Sequence, residues 1–265
     1  LDNVNIPANN AHFSGTLSGE GPALVLLHAG IADSRMWSRQ VDSFARHFTV
    51  LSYDLRGFGG STAPDEPYSH HTDLRAILDK LDIHRAHLLG VSMGAGVALD
   101  VALAYPDVVD RLVLCAALGP LPRSQSLLDG WAAAEEAYER DGLPALNEVE
   151  MRIWVDGPFR SASQVEPAIR ALVAEMNLPI LEHEERAEHE SASLEPPAHQ
   201  RLRDVAAPTL IVSGDLDQPD VIDYCRRLAA EIPNARLEII NDVAHMLNME
   251  APDRFNELVV NFLTE

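Results

Sequence analysis

Lysine is nearly missing from this chain. Lys80 is its lone example among 20 basic side chains, set against 41 acids, for a formal net charge of −21. A surface so short of cations repels phosphate backbones and anionic headgroups, which argues against nucleic acid and membrane surfaces as partners. Cysteine is scarce too. Cys115 and Cys225 fall in an expected core strand and an expected helix, so no disulfide framework is available and both read as reduced core residues. No run of eighteen apolar residues occurs, which excludes an ordinary membrane-spanning helix, and the first residues lack a signal-peptide pattern. A cytoplasmic location is the expectation. Neither internal repeats nor low-complexity linkers are found, and the oligomeric state is left open.

What is present suits one large domain with an insertion: 265 residues, 46% of them apolar. Short strand-like runs occur near 4–6, 12–17, 23–28, 49–53, 86–91, 111–117, 208–212 and 236–240. Between them lie helical stretches at 36–46, 69–81, 95–104 and 252–263. In the second of these, Leu74, Ile77, Leu78 and Leu81 share one face. Alternation of this kind predicts an α/β fold with a mostly parallel eight-stranded sheet covered by helices on both faces. The alternation breaks at 119–207, where no convincing strand is found, and resumes at Pro208. The expected organisation is a core of 1–118 and 208–265, with a helical cap of 119–207 inserted after the sixth strand.

Gly90-Val91-Ser92-Met93-Gly94 joins an apolar strand to a helix of small residues. Glycines on both sides allow a sharp, strained turn that lifts a serine hydroxyl clear of the sheet, and the first helical N–H groups favour negative charge there. A serine hydroxyl is a weak nucleophile and needs a base. Histidine suits, and a carboxylate must fix its tautomer. Two later strand ends supply candidates. Ser213-Gly214-Asp215-Leu216-Asp217 carries two carboxylates, with Asp220 beyond Pro219, and Asn241-Asp242-Val243-Ala244-His245 carries the histidine.

In these segments, with Leu26-Leu27-His28-Ala29-Gly30 and Asp54-Leu55-Arg56-Gly57-Phe58-Gly59, the chain resembles the α/β-hydrolase superfamily. It is similar to the small bacterial branch of esterases, enol-lactone hydrolases and cofactor-free haloperoxidases. The resemblance runs from Leu24 through the final helix. It implies Ser92 as nucleophile, His245 as base and Asp217, the third residue after Gly214, as the acid. It also implies the N–H groups of Gly30 and Met93 as oxyanion donors, with His28 structural beneath them. Ala29, Ala95 and Ala244 stand where glycine is usual, each adding a methyl group where backbones approach closely.

The expected activity is therefore cleavage of a small carboxylic ester or lactone through an acyl-enzyme, with no cofactor and no metal. Carbon–carbon bond hydrolysis of vinylogous diketones and cofactor-free perhydrolysis are alternatives on the same residues. A slow-turnover receptor or signalling protein is the alternative of another class. Trp131 and Trp154 are the expected substrate-binding residues of the cap, and 151–158 its expected wall. His70-His71 and the His84/His87 pair lack partners at metal-ligand spacing. The run Glu182 to Glu190, with His183 and His189, reads as a solvated helical face.

Overall fold

A computed structural model describes residues 2–265. Its strands are β1 (Asp2–Ala8), β2 (Ala11–Ser18), β3 (Ala23–Leu27), β4 (Thr49–Tyr53), β5 (Ala86–Val91), β6 (Val109–Cys115), β7 (Thr209–Gly214) and β8 (Ala235–Ile240). They form one sheet in the order β1-β2-β4-β3-β5-β6-β7-β8. The β1–β2 and β2–β4 pairings are antiparallel and the rest parallel. Asn9 and Asn10, both at positive φ, make the two-residue turn of the first hairpin, a conformation asparagine tolerates. Every residue of β5 and β7 is buried, as central strands are when helices cover both faces.

The helices are α1 (Val41–Phe44), α2 (His70–Lys80), α3 (Met93–Ala104), α4 (Gln125–Asp141), α5 (Leu143–Glu150), α6 (Pro167–Glu184), α7 (Pro219–Glu231), α8 (Leu247–Glu250) and α9 (Pro252–Leu263). Helices α4 to α6 form an insertion after the sixth strand, as the break in alternation predicted. The single helix expected at 36–46 is instead a 3₁₀ turn at Ser34–Trp37 followed by the four-residue α1. The reason is polar. The Met36 carbonyl, which a continuous helix would offer to the Gln40 N–H, accepts from Asn248 Nδ2 at 3.0 Å. The Gln40 N–H turns to Trp37 O at 2.8 Å, and its buried side-chain amide donates to Asn248 O and Asn256 Oδ1.

Register brings the parallel strands to a common carboxyl edge. Leu27 pairs with Gly90, Val91 with Cys115 and Gly214 with Ile240. The segments leaving β3, β5, β7 and β8 therefore open on one side of the sheet, where ligands bind in folds of this kind.

Candidate active site

Ser92 sits between β5 and α3 at φ 55°, ψ −114°, a left-handed backbone that a side chain adopts only under strain. Its N–H donates to Cys115 O at 2.8 Å, which straps the turn to β6. The flanking glycines are steric necessities. A Cβ on Gly90 would lie 2.1 Å from Gly94 O, and one on Gly94 would lie 2.2 Å from Leu27 O. Ala95, where glycine is usual, is fully packed and displaces neither contact.

The loop after β7 presents Asp217, wholly buried, with Oδ1 accepting from the Gln218 N–H at 2.7 Å. Its Oδ2 lies 2.8 Å from His245 Nδ1, and His245 is itself buried in the loop after β8. The neighbouring acids are engaged elsewhere. Asp215 Oδ1 accepts from the Asp242 N–H, pinning the two loops together, while Asp220 accepts from both the N–H and the hydroxyl of Ser124. An imidazole whose Nδ1–H donates a hydrogen bond to a buried carboxylate keeps Nε2 as a base.

His28, at the end of β3, is not part of that chemistry. Its Nδ1 donates to Ala29 O at 2.8 Å and its Nε2 accepts from the Leu55 N–H at 2.9 Å. Burial pushes its pKa down, so the ring is a neutral brace shaping the turn at Gly30. Gly30 lies against the start of α3, its Cβ direction 3.6 Å from Met93 Cβ. Among the described residues, the N–H groups of Gly30 and Met93 have no hydrogen-bond acceptor. Two unspent donors beside a serine hydroxyl suit a developing oxyanion.

A family model described as the alpha/beta hydrolase fold matches residues 22–252. The chain belongs to the alpha/beta hydrolases. It is related to their small bacterial esterase and enol-lactonase branch. It is 26% identical to 3-oxoadipate enol-lactonase 2 of Acinetobacter baylyi over 94% of this chain and 96% of that one. It is 30% identical to the 2-hydroxy-6-oxononadienedioate/2-hydroxy-6-oxononatrienedioate hydrolase of Burkholderia vietnamiensis, over 95% and 90%. The enol-lactonase of Burkholderia xenovorans LB400 superposes with a TM-score of 0.80 at 28% identity, covering 99% of this chain and 100% of that structure. Fold and relatives together support hydrolase activity.

In this hydrolase the insertion is riveted to the loops carrying Asp217 and His245. After α5 the chain widens into a π-helical turn, Met151–Asp156, a distortion frequent at functional sites. Gln218 Nε2, next to Asp217, donates to Ile153 O at 2.9 Å. Gly157, at φ 74°, packs where a Cβ would meet Leu216 O at 2.6 Å and the Ala244 methyl at 3.1 Å. Arg160 donates to Val155 O and Asp156 O and pairs with Glu250, whose other oxygen accepts from the Ala244 N–H at 3.0 Å. The π turn thereby holds the Trp154 ring 4.8 Å from the His245 ring, at 41°. Sequence reading missed Arg160, Glu250 and Gln218, because nothing in their local sequence marks long-range partners.

A cavity of about 690 Å³ opens beside Ser92. It corrects two expectations. His183 and His189 do not share one solvated helical face: His183 lies in the last turn of α6, which stops at Glu184, the chain folds back, and both histidines line this cavity. His183 presses so close to Gly57 that a Cβ there would lie 2.7 Å from its Nε2. Trp131 lies away from the cavity, 39% exposed with Arg123 stacked on its ring, so the structure gives it no place against a substrate at Ser92. Trp154 reaches the site through His245 rather than through the cavity wall. His70 is buried at the cavity edge, and burial pushes its pKa down to about 3.

Proposed function

We propose that this alpha/beta hydrolase is a serine hydrolase that cleaves a small carboxylic ester or lactone. The observation that carries the reading is the buried 2.8 Å contact between His245 Nδ1 and Asp217 Oδ2, on loops that open at the same sheet edge as Ser92. Ser92 Oγ attacks the carbonyl as His245 Nε2 takes its proton, and Asp217 stabilises the resulting imidazolium. The Met93 and Gly30 N–H groups meet the oxyanion. His245 returns the proton to the leaving alcohol. Water, deprotonated by the same imidazole, then releases the acid from the Ser92 ester. Each step is a proton or acyl transfer that these side chains complete without a cofactor or metal. Residues 119–207 serve as the cap and, through Trp154 and the Arg160–Glu250 pair, as a brace for the base.

The enol-lactonase relatives support the ester or lactone class. The relative at 30% identity takes, by its name, a dicarboxylate. That substrate transfers poorly to a cavity bordered by Asp100, Glu184 and Glu190. The test compares carboxylates on p-nitrophenyl butyrate. Asp217→Asn is expected to lower kcat by about 10⁴-fold, the loss known for a triad carboxylate, and Asp215→Asn far less. The reverse ranking moves the acid to Asp215. Repeated turnover under substrate excess separates an enzyme from a receptor, which stalls after one acylation.

A further inference from the structure

We infer that the cavity beside Ser92 continues across Gly96 into a second, apolar pocket, and that the two together take an ester or lactone bearing an alkyl chain of about eight to ten carbons. The inference rests on the hydrolase reading and adds a substrate class to it. Helix α3 forms the floor of both spaces. Met93 and Val97 line the Ser92 cavity alone, Ala95 and Leu99 line the second pocket alone, and Gly96 and Asp100 border both. Successive helical residues turn by about 100°, so Gly96 and Asp100 form the ridge between the two sides. Leu118 and Ser193 also border both spaces and complete the neck.

The ridge has a gap at Gly96. That glycine is exposed, and nothing lies within 4 Å of where its Cβ would be. A glycine inside a helix weakens it, and no neighbour here requires one. Its consequence is open space along the floor: a carbon atom at that point touches nothing, so a methylene chain can cross.

The space beyond measures about 180 Å³ and is walled by Leu99, Leu114, Leu194, Pro197 and Leu228. A Cβ on Gly119 would lie 2.1 Å from Tyr224 Cε2, so this second glycine seats the Tyr224 ring in the wall. Burial lifts the phenol to about 12 and keeps it neutral. Asp100 and His199 are the other ionisable residues of the lining, and Asp100 accepts from the Leu194 backbone. Walls of leucine, proline and an aromatic ring suit hydrocarbon. Distance sets the chain. Gly96 lies four residues past Ser92, about 6 Å along the helix axis, and Leu99 seven residues past it, about 10 Å. An extended chain advances about 1.2 Å per bond, so about the sixth carbon reaches the gap and roughly the eighth to tenth lie in the second pocket.

The test compares p-nitrophenyl octanoate with p-nitrophenyl butyrate, and octyl acetate with butyl acetate, which places the chain on the acyl or the alcohol side. Each buried methylene can raise kcat/KM by roughly fourfold. In one of the two sets the long chain is therefore expected to exceed the short one by about tenfold or more. Ala198→Phe adds a ring to the lining of the second pocket and none to the Ser92 cavity, so it should bring the long-to-short ratio close to one. Gly96→Leu, which closes the gap, should do the same, and it carries the test if Ala198→Phe does not fold. A wild-type ratio near one in both sets, or a ratio that either folded variant leaves unchanged, overturns the inference. If no ester is cleaved, the hydrolase reading fails, and calorimetry with octanamide and butanamide still decides the pocket. Tighter binding of octanamide that Ala198→Phe weakens supports it; equal binding of the two amides, no binding, or binding that Ala198→Phe leaves unchanged overturns it.

Discussion

The Arg160–Glu250 pair joins the insertion to the His245 loop, and its removal has two separable consequences. The side chains are 8% and 7% exposed, so each charge depends on the other for solvation. Removing one partner strands the other, at about 3–5 kcal/mol, whereas replacing both with apolar groups of similar volume costs far less. Arg160→Met and Glu250→Leu are therefore each expected to lower unfolding free energy by about 3 kcal/mol or more. The double variant should lose much less than their sum, a coupling on the order of 2–3 kcal/mol. Glu250→Leu also frees the Ala244 N–H beside His245. Misplacing a base by about 1 Å can cost on the order of 10²-fold, so kcat should fall tenfold or more in this variant even where it remains folded. Urea unfolding of the four proteins, with kcat measured on the same samples, checks both. Additive losses under about 1 kcal/mol each, the behaviour of an exposed pair, would refute the reasoning, as would an unchanged kcat in Glu250→Leu.

Two further outcomes follow from single residues. Burial holds His70 at about 3 against an ordinary value of 6.5, so between those values the unfolded chain binds a proton that the folded chain refuses. Its contribution to stability is complete above about pH 6.5 and is lost as pH falls toward 3, by up to about 1.4 kcal/mol per pH unit. In His70→Phe the fall in unfolding free energy from pH 6.5 to 4.5 should be shallower by about that slope. Urea titrations across the range measure it, and parallel curves would count against the assignment. Gly96→Ala should raise stability by about 0.5–1 kcal/mol, since the added methyl meets nothing within 4 Å. Gly96→Leu should cut activity on long esters relative to acetate by filling the floor, and equal losses on both would place the floor elsewhere.

The sheet, its order of helices and the insertion after β6 were legible because they rest on local periodicity: Ala86–Val91 and Thr209–Gly214 are mostly apolar and buried throughout. The serine turn was legible because its glycines answer a local steric demand, and the carboxylate and histidine loops because each follows a strand end. Features set by distant contacts were not. The 36–46 segment has helical spacing, yet the side-chain amide of Asn248 takes the Met36 carbonyl such a helix needs. Glu182 to Glu190 has the composition of a solvated helix, but α6 ends at Glu184 and the remainder turns over the cavity. Trp131 and Trp154 looked alike as apolar residues of the insertion. Only the π turn, fixed by Gln218 and Arg160, brings Trp154 to His245 while Trp131 faces outward.

The measurement that bears most directly on the central claim is covalent capture of Ser92. Wild-type protein treated with a fluorophosphonate should gain one adduct by intact mass, mapped to Ser92 by peptide sequencing, with ester hydrolysis lost in proportion. Ser92→Ala should take no label and hydrolyse no ester while keeping the wild-type far-UV spectrum and unfolding midpoint. A label on another residue, or near-normal hydrolysis by folded Ser92→Ala, would contradict the account.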